Sequence, residues 1–73
     1  MSLGDVKKGS TIVIDKIRDN SIKSHLIRFG IEEGSEVQCF QKIYKGPVII
    51  KFNRQEIAVG HELAKNILVS LQG

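Results

Sequence analysis

The chain has 73 residues, of which 41% are hydrophobic and 26% charged, and it carries a net charge of +3. This length predicts one domain over residues 1–73, and the apolar content excludes a disordered chain. No apolar run approaches the roughly 20 residues of a membrane span, and no signal-peptide pattern opens the chain. The single cysteine excludes an internal disulfide and suggests a reducing compartment, so we expect a cytoplasmic protein.

The first predicted element is a strand over residues 10–18, which follows Gly9. Ile12 and Ile14 alternate toward the interior, and the inward period then slips to Ile17. Such a slip is typical of a bulge or bend, which a strand needs when it curls into a barrel.

A short helix is predicted over residues 21–29, with Ser21 as its N-cap because its hydroxyl can accept from the first free N–H groups. Gly30 can take the left-handed conformation that ends a helix, and Ile31 follows where an apolar contact back to Leu26 is common. The apolar stripe of this helix consists of Ile22, Leu26 and Phe29. A helix this short needs a sheet to pack against.

Four more strands follow, over residues 35–43, 48–52, 56–59 and 66–71. Asn53 and Arg54 form a tight turn between the middle two, and residues 61–65 suit one helical turn. Strict alternation places the following side chains inside: Val37, Cys39, Gln41, Ile43, Val48, Ile50, Phe52, Ile57, Val59, Ile67, Val69 and Leu71. Five short strands with a curled first strand predict a small all-β barrel, closed so that no edge is exposed.

Three pieces of the sequence carry a family resemblance. They are residues 6–9 leading into the strand at 12–17, residues 25–37, and the set 46–48, 56–60 and 64–69. On these pieces the chain resembles the FeoA family of small cytoplasmic proteins of bacterial ferrous iron transport. The same fold occurs at the C-terminus of DtxR-type metal-dependent repressors. Three departures are His25, where family members often carry arginine, Phe29, which replaces the usual leucine, and Glu33, where proline is common.

The resemblance implies an SH3-like five-stranded barrel with one short helix after strand 1 and a single helical turn before strand 5. It also implies an accessory or regulatory protein that contacts the soluble domain of FeoB, the membrane GTPase that transports ferrous iron. Two other roles stay open. One is an SH3-like nucleic-acid-binding module, suggested by the basic charge, and the other is a stand-alone metal-repressor-type interaction domain.

Catalytic chemistry finds no support in the sequence, because no nucleophile has a neighbouring base and no glycine loop is suited to hold a phosphate. Cys39 falls on the apolar face of its strand, where a free cysteine is usually a small core residue. We therefore expect a protein that is not an enzyme and binds no cofactor.

Metal binding is considered because the resembled family serves iron. His25, Glu32 and His61 are the candidate ligands, and imidazole and carboxylate groups suit divalent iron or zinc. No pair among the histidines, the acids and Cys39 has a recognised metal-ligand spacing.

A partner-binding surface is predicted from apolar residues on the outward side of the strands. They are Val13, Phe40, Ile49, Ala58 and Leu68. We hypothesise that Phe40 and Ile49, together with His25 and Arg28 on the exposed side of the helix, contact a partner protein or a second copy of this chain. Nucleic acid is the less favoured partner, because acidic residues interrupt the scattered lysines and arginines.

Overall fold

Alternating β-branched residues build one antiparallel sheet in the computed structural model, which describes residues 1–72. The strands are β1 (Thr11–Ile17), β2 (Glu36–Lys42), β3 (Val48–Phe52), β4 (Gln55–Val59) and β5 (Ile67–Leu71). The helices are α1 (Asn20–Ile27) and α2 (His61–Ala64), and a 3-10 turn at Leu3–Asp5 comes before β1. The arrangement is a small SH3-like β-barrel, as predicted.

The sheet follows the strand order β4-β3-β2-β1-β5. Strand β1 pairs with two neighbouring strands. Its residues Thr11, Ile12 and Val13 pair with β2, and the stretch from Ile12 to Ile17 pairs with β5. The β1–β5 register shifts between Ile14 and Lys16. The bend predicted from the slipped period is therefore confirmed.

The interior is one cluster of apolar side chains that all five strands and both helices supply. It contains no buried polar or charged residue among residues 1–72, so each inward position contributes apolar burial. Predicted inward residues that are buried are Ile12, Ile14, Ile17, Val37, Cys39, Val48, Ile50, Ile57, Val59, Ile67 and Val69.

A second bulge, in β2, overturns the predicted inward positions of Gln41 and Ile43. The β2–β3 register shifts between Cys39 and Gln41, and an extra residue in one strand moves every later side chain to the opposite face. Gln41 is exposed and Ile43 is 50% exposed. Lys42 stands opposite the buried Val48 instead, and its ammonium group donates to the carbonyls of Gly4 (2.5 Å) and Val6 (2.9 Å).

Helix α1 begins one residue before the predicted start, and Asp19 caps it. The Asp19 carboxylate accepts from the backbone N–H of Ile22 at 3.0 Å, so the prediction of Ser21 as the cap is wrong. The predicted type of helix end is confirmed, since Gly30 has φ 84° and the N–H of Ile31 donates to the carbonyl of Leu26 at 3.1 Å. Ile22, Leu26 and Ile31 are buried, and Phe29 packs on the core partly exposed.

The predicted closure without exposed edges is wrong, because β4 and β5 are not paired with each other and remain as two different edges of the sheet. The edge of β5 is covered by the start of the chain, where Ser2 bridges to Leu68 and the N–H of Val69 donates to the carbonyl of Met1 at 2.9 Å. Leu71, the last residue of β5, was predicted inward but is 60% exposed. It lies past the covered part of the barrel and lines a shallow groove with Met1 and Val6.

The edge of β4 has α1 beside it instead of a strand. The Gln55 side chain donates to the carbonyl of Phe29 at 3.3 Å, while Ser21 and Ile22 lie across a groove from Ala58. The helix therefore runs antiparallel to β4, and the groove separates the two elements. No helix within residues 1–72 is long and apolar enough to cross a membrane.

Candidate functional site

The outward apolar residues predicted to bind a partner are not one continuous patch. Ile49 and Ala58 are direct cross-strand neighbours, and Ile49 also faces Gln41, the residue after Phe40. These three strands therefore place Phe40, Ile49 and Ala58 in one row. Val13 and Leu68 are half-buried and belong to β1 and β5, away from that row.

Phe40 is the unpaired residue at the β2 bulge, and its ring lies on the outer side of the sheet. It is 40% exposed, and the Lys51 ammonium group lies 5.2 Å from the ring centroid. A cation over an aromatic face is attracted by the ring quadrupole, and the ring remains partly accessible. Phe40 is thus an exposed apolar side chain with a positive charge beside it.

His25 brings the helix side of the predicted surface to the end of this row. Its ring packs edge-on against Phe29, with 5.5 Å between the ring centroids. A groove of about 370 Å³ separates α1 from β4 and α2, and His25 lines it. The other lining residues are Ser21, Ile22, Ala58, Gly60 and Leu63. Arg28 is exposed at the end of α1, outside this groove.

The structure does not bring the three metal-ligand candidates into one group. Within residues 1–72, no three histidine, cysteine, aspartate or glutamate residues lie close enough to hold a metal ion together. His25 lies on α1, Glu32 on the turn before β2 and His61 at the start of α2. Their role as ligands stays a prediction.

Glu33 has a structural contact that sequence reasoning did not find. Its carboxylate accepts from the backbone N–H of Ile17 at 3.0 Å and lies 3.9 Å from the Lys23 ammonium group. It thereby satisfies a donor at the bent end of β1, which proline at this position could not do. No sequence pattern signals this bond, because the two residues are far apart in the chain.

Cys39 is a core residue, as its position on the apolar face predicted. It is 0% exposed, and burial raises the pKa of its thiol, with the Lys42 charge acting in the opposite direction. The thiolate is the reactive form of cysteine, so this environment suppresses both nucleophilic and metal-binding chemistry.

The sequence matches the model of one protein family, described as the FeoA domain, over residues 1–71. A crystal structure of an iron uptake regulatory protein (FeoA) is similar with a TM-score of 0.85 and 22% identity, covering 99% of this chain and 96% of that one. A solution structure of FeoA from Chlorobium tepidum has a TM-score of 0.89 and 17% identity, covering 100% of this chain and 71% of that one.

A solution structure of a FeoA-like protein from Clostridium acetobutylicum has a TM-score of 0.80 and 20% identity, covering 97% of this chain and 85% of that one. At these identities the structural likeness speaks for the fold. No curated protein gives a significant match to the sequence.

Proposed function

The chain belongs to the FeoA family, and from this premise we propose that it is an accessory or regulatory protein of ferrous iron transport. Family membership over residues 1–71 is the observation that carries the proposal. The sequence resemblance names the partner, which is the soluble domain of the FeoB membrane GTPase in the cytoplasm.

The proposed contact surface consists of Phe40 and Ile49 on the sheet together with His25 and Arg28 on α1. Its support is the exposed, lysine-backed ring of Phe40, the adjacent Ile49, and the groove beside His25. Aromatic and arginine side chains supply most of the free energy at protein interfaces. A regulatory role requires in addition that this surface bind two states of the transporter with different affinity.

Calorimetric titration of the purified FeoB soluble domain tests the contact. We expect Phe40→Asp and Ile49→Asp to weaken binding at least about tenfold, or 1.4 kcal/mol, while circular dichroism shows a folded domain. The matched control is Leu71→Asp, which places the same charge on another large exposed side chain at the far end of the sheet. Unchanged binding by both sheet variants would contradict this surface.

The regulatory part is tested by loading the FeoB domain with GDP or with a non-hydrolysable GTP analogue. Different dissociation constants for the two forms are expected. Equal constants would leave a docking protein that does not shift the transporter between states.

Metal binding is tested separately, by anaerobic titration with ferrous iron. We propose that the chain binds no resident metal or other cofactor and has no catalytic activity of its own, so no saturable binding is expected below about 100 μM. Saturable binding that His25→Ala or His61→Ala removes would contradict this and restore those residues as ligands.

A nucleic-acid-binding module is the second candidate, and two lysine–aromatic contacts favour it. The Lys51 ammonium group lies over Phe40 and that of Lys45 lies 5.4 Å from the Tyr44 ring centroid, and bases stack on aromatic rings beside positive charge. Saturable binding of short RNA or DNA that falls steeply with salt would support it. A stand-alone repressor-type domain would instead bind a peptide of a metal-dependent repressor.

A further inference from the structure

The two edges of the sheet offer different hydrogen-bonding groups to solvent. At the β5 edge, Met1 and Ser2 already occupy the position of an added strand. At the β4 edge, no strand within residues 1–72 is paired on the outer side. An unpaired edge presents a row of N–H and C=O groups that can bind another extended chain.

The turn that connects β3 to β4 identifies which groups of β4 are free. Asn53 and Arg54 form a two-residue turn, both with positive φ (49° and 67°), and Phe52 stands opposite Gln55. In such a hairpin the residues flanking the turn exchange both hydrogen bonds, and every second pair after them does the same. Glu56 and Ala58 occupy the intervening pairs, so their backbone groups point away from β3.

These groups have no other hydrogen-bond partner in the described part of the chain. No bond outside the β3–β4 ladder involves the N–H or C=O of Glu56 or Ala58, and both residues are exposed. Within its own sequence, strand β4 also lacks the usual features that block an edge. It contains no proline, lysine or bulge, and its register is continuous over five pairs.

The groove beside this edge has room for the side chains of an added strand. It holds about 370 Å³ between α1 and β4, which is within the range of peptide and ligand sites. Ile22, Leu63 and Ala58 give it apolar walls, and Ser21 and His25 supply polar groups on the helix side. We propose that the free edge of β4, with this groove, binds an extended segment of another protein by strand addition.

The occupant is an extended segment rather than a second copy of this chain. A second copy could offer only its own two edges, and its β5 edge is covered by Met1 and Ser2. Pairing two β4 strands would bring the exposed Glu56 carboxylates of both copies to the same short edge, and like charges on neighbouring strands are destabilising. An extended segment need not carry such a charge. Because Glu56 is exposed on the edge, a lysine or arginine opposite it favours the segment.

Strand addition at β4 is distinct from the proposed transporter contact, because it does not depend on which protein supplies the segment. The probe is a synthetic peptide of about eight residues, with alternating threonine and valine between two lysines and with blocked ends. NMR titration should shift the amide signals of Glu56 to Gly60 and of α1, and should slow amide exchange at Glu56 and Ala58 at least tenfold. No shift at millimolar peptide would overturn the proposal.

Ala58→Pro is the decisive variant, since it removes an N–H that points away from β3 and leaves the β3–β4 hydrogen bonds in place. It should weaken peptide binding at least tenfold, whereas Ala58→Val, which keeps the N–H, should stay within about threefold. Equal binding by the proline variant and the parent would overturn the proposal.

Methylated peptides test the same point without changing the protein. Neighbouring residues of a strand direct their N–H groups to opposite edges. One peptide is N-methylated at all valines and a second at all threonines. Binding should be abolished in one of the two and retained in the other. Equal binding by both methylated peptides would overturn strand addition. A dimer of the free chain that Ala58→Pro dissociates would overturn the choice of occupant in favour of a second copy.

Discussion

At the scale of single residues, Asp5 makes the stability of this domain depend on pH. Its carboxylate accepts from the backbone N–H of Ser2 at 2.9 Å and from the Ser2 hydroxyl at 3.2 Å. These bonds favour the ionised form and lower the pKa of Asp5 below the ordinary 3.8. Because its pKa is lower in the folded state, Asp5 stabilises the fold at every pH above its pKa in the unfolded chain. This stabilisation is lost as the pH falls through the pKa of the folded state.

We therefore expect Asp5→Asn to melt at a lower temperature than the parent at pH 7. The difference in melting temperature between the two proteins should narrow from pH 3.8 downward and disappear once the parent carboxyl is protonated. Thermal unfolding followed by circular dichroism from pH 7 to about pH 2 measures it. Glu36→Gln is the control for the loss of one exposed negative charge. A difference that stays constant down to the lowest pH would show that the effect is not ionic.

At the scale of elements, α1 depends on Leu26 for its attachment to the sheet. Leu26 is 0% exposed, and its carbonyl accepts the N–H groups of both Phe29 and Ile31. Truncation to alanine leaves a cavity in a well-packed core. The backbone hydrogen bonds of the helix end would remain, so the decrease in the free energy of unfolding would measure side-chain packing alone.

Leu26→Ala should lower the free energy of unfolding by about 2–5 kcal/mol, with a fall in melting temperature of about 4–8 °C per kcal/mol. The neighbouring Ile27 is 50% exposed, so Ile27→Ala should change stability by only about 0.5 kcal/mol. Urea titration of both variants measures the difference. A melting temperature for Leu26→Ala within about two degrees of the parent would contradict the role of this residue.

The elements themselves were largely predictable, because each depends on local pattern. Alternation located the five strands, the slipped period located the β1 bend, and Gly30 located the end of α1. Alternation failed after Cys39, since a bulge in a partly exposed strand leaves no mark in a single sequence. Asp19 and Ser21 both suit a cap, and only the helix geometry distinguishes them.

The candidate site was harder to predict, because its parts come from distant segments. The sequence pointed to Phe40, Ile49 and His25 as exposed residues of suitable type. It did not signal the groove between α1 and β4, which depends on how the helix packs after β1. The free β4 edge and the covered β5 edge likewise follow from strand order, which local pattern does not encode.

At the scale of the whole molecule, the single hydrophobic cluster predicts cooperative unfolding. All buried side chains within residues 1–72 belong to one cluster, so no part of the core can be lost while another part remains intact. Calorimetric and van't Hoff enthalpies should agree, with a ratio of about 1. Tyrosine fluorescence is a poor probe, because Tyr44 is 87% exposed in the folded state. Separate transitions for α1 and the sheet by NMR would contradict one cooperative unit.

The sealed position of Cys39 has a practical consequence for spectroscopy. The chain has one sulfhydryl, and it lies in the interior with 0% exposure. A maleimide dye or spin label added to the native protein should therefore leave the parent unmodified. A cysteine engineered at exposed Ser24 would then be labelled alone, so distances from α1 to a bound partner could be measured without first replacing the native sulfur.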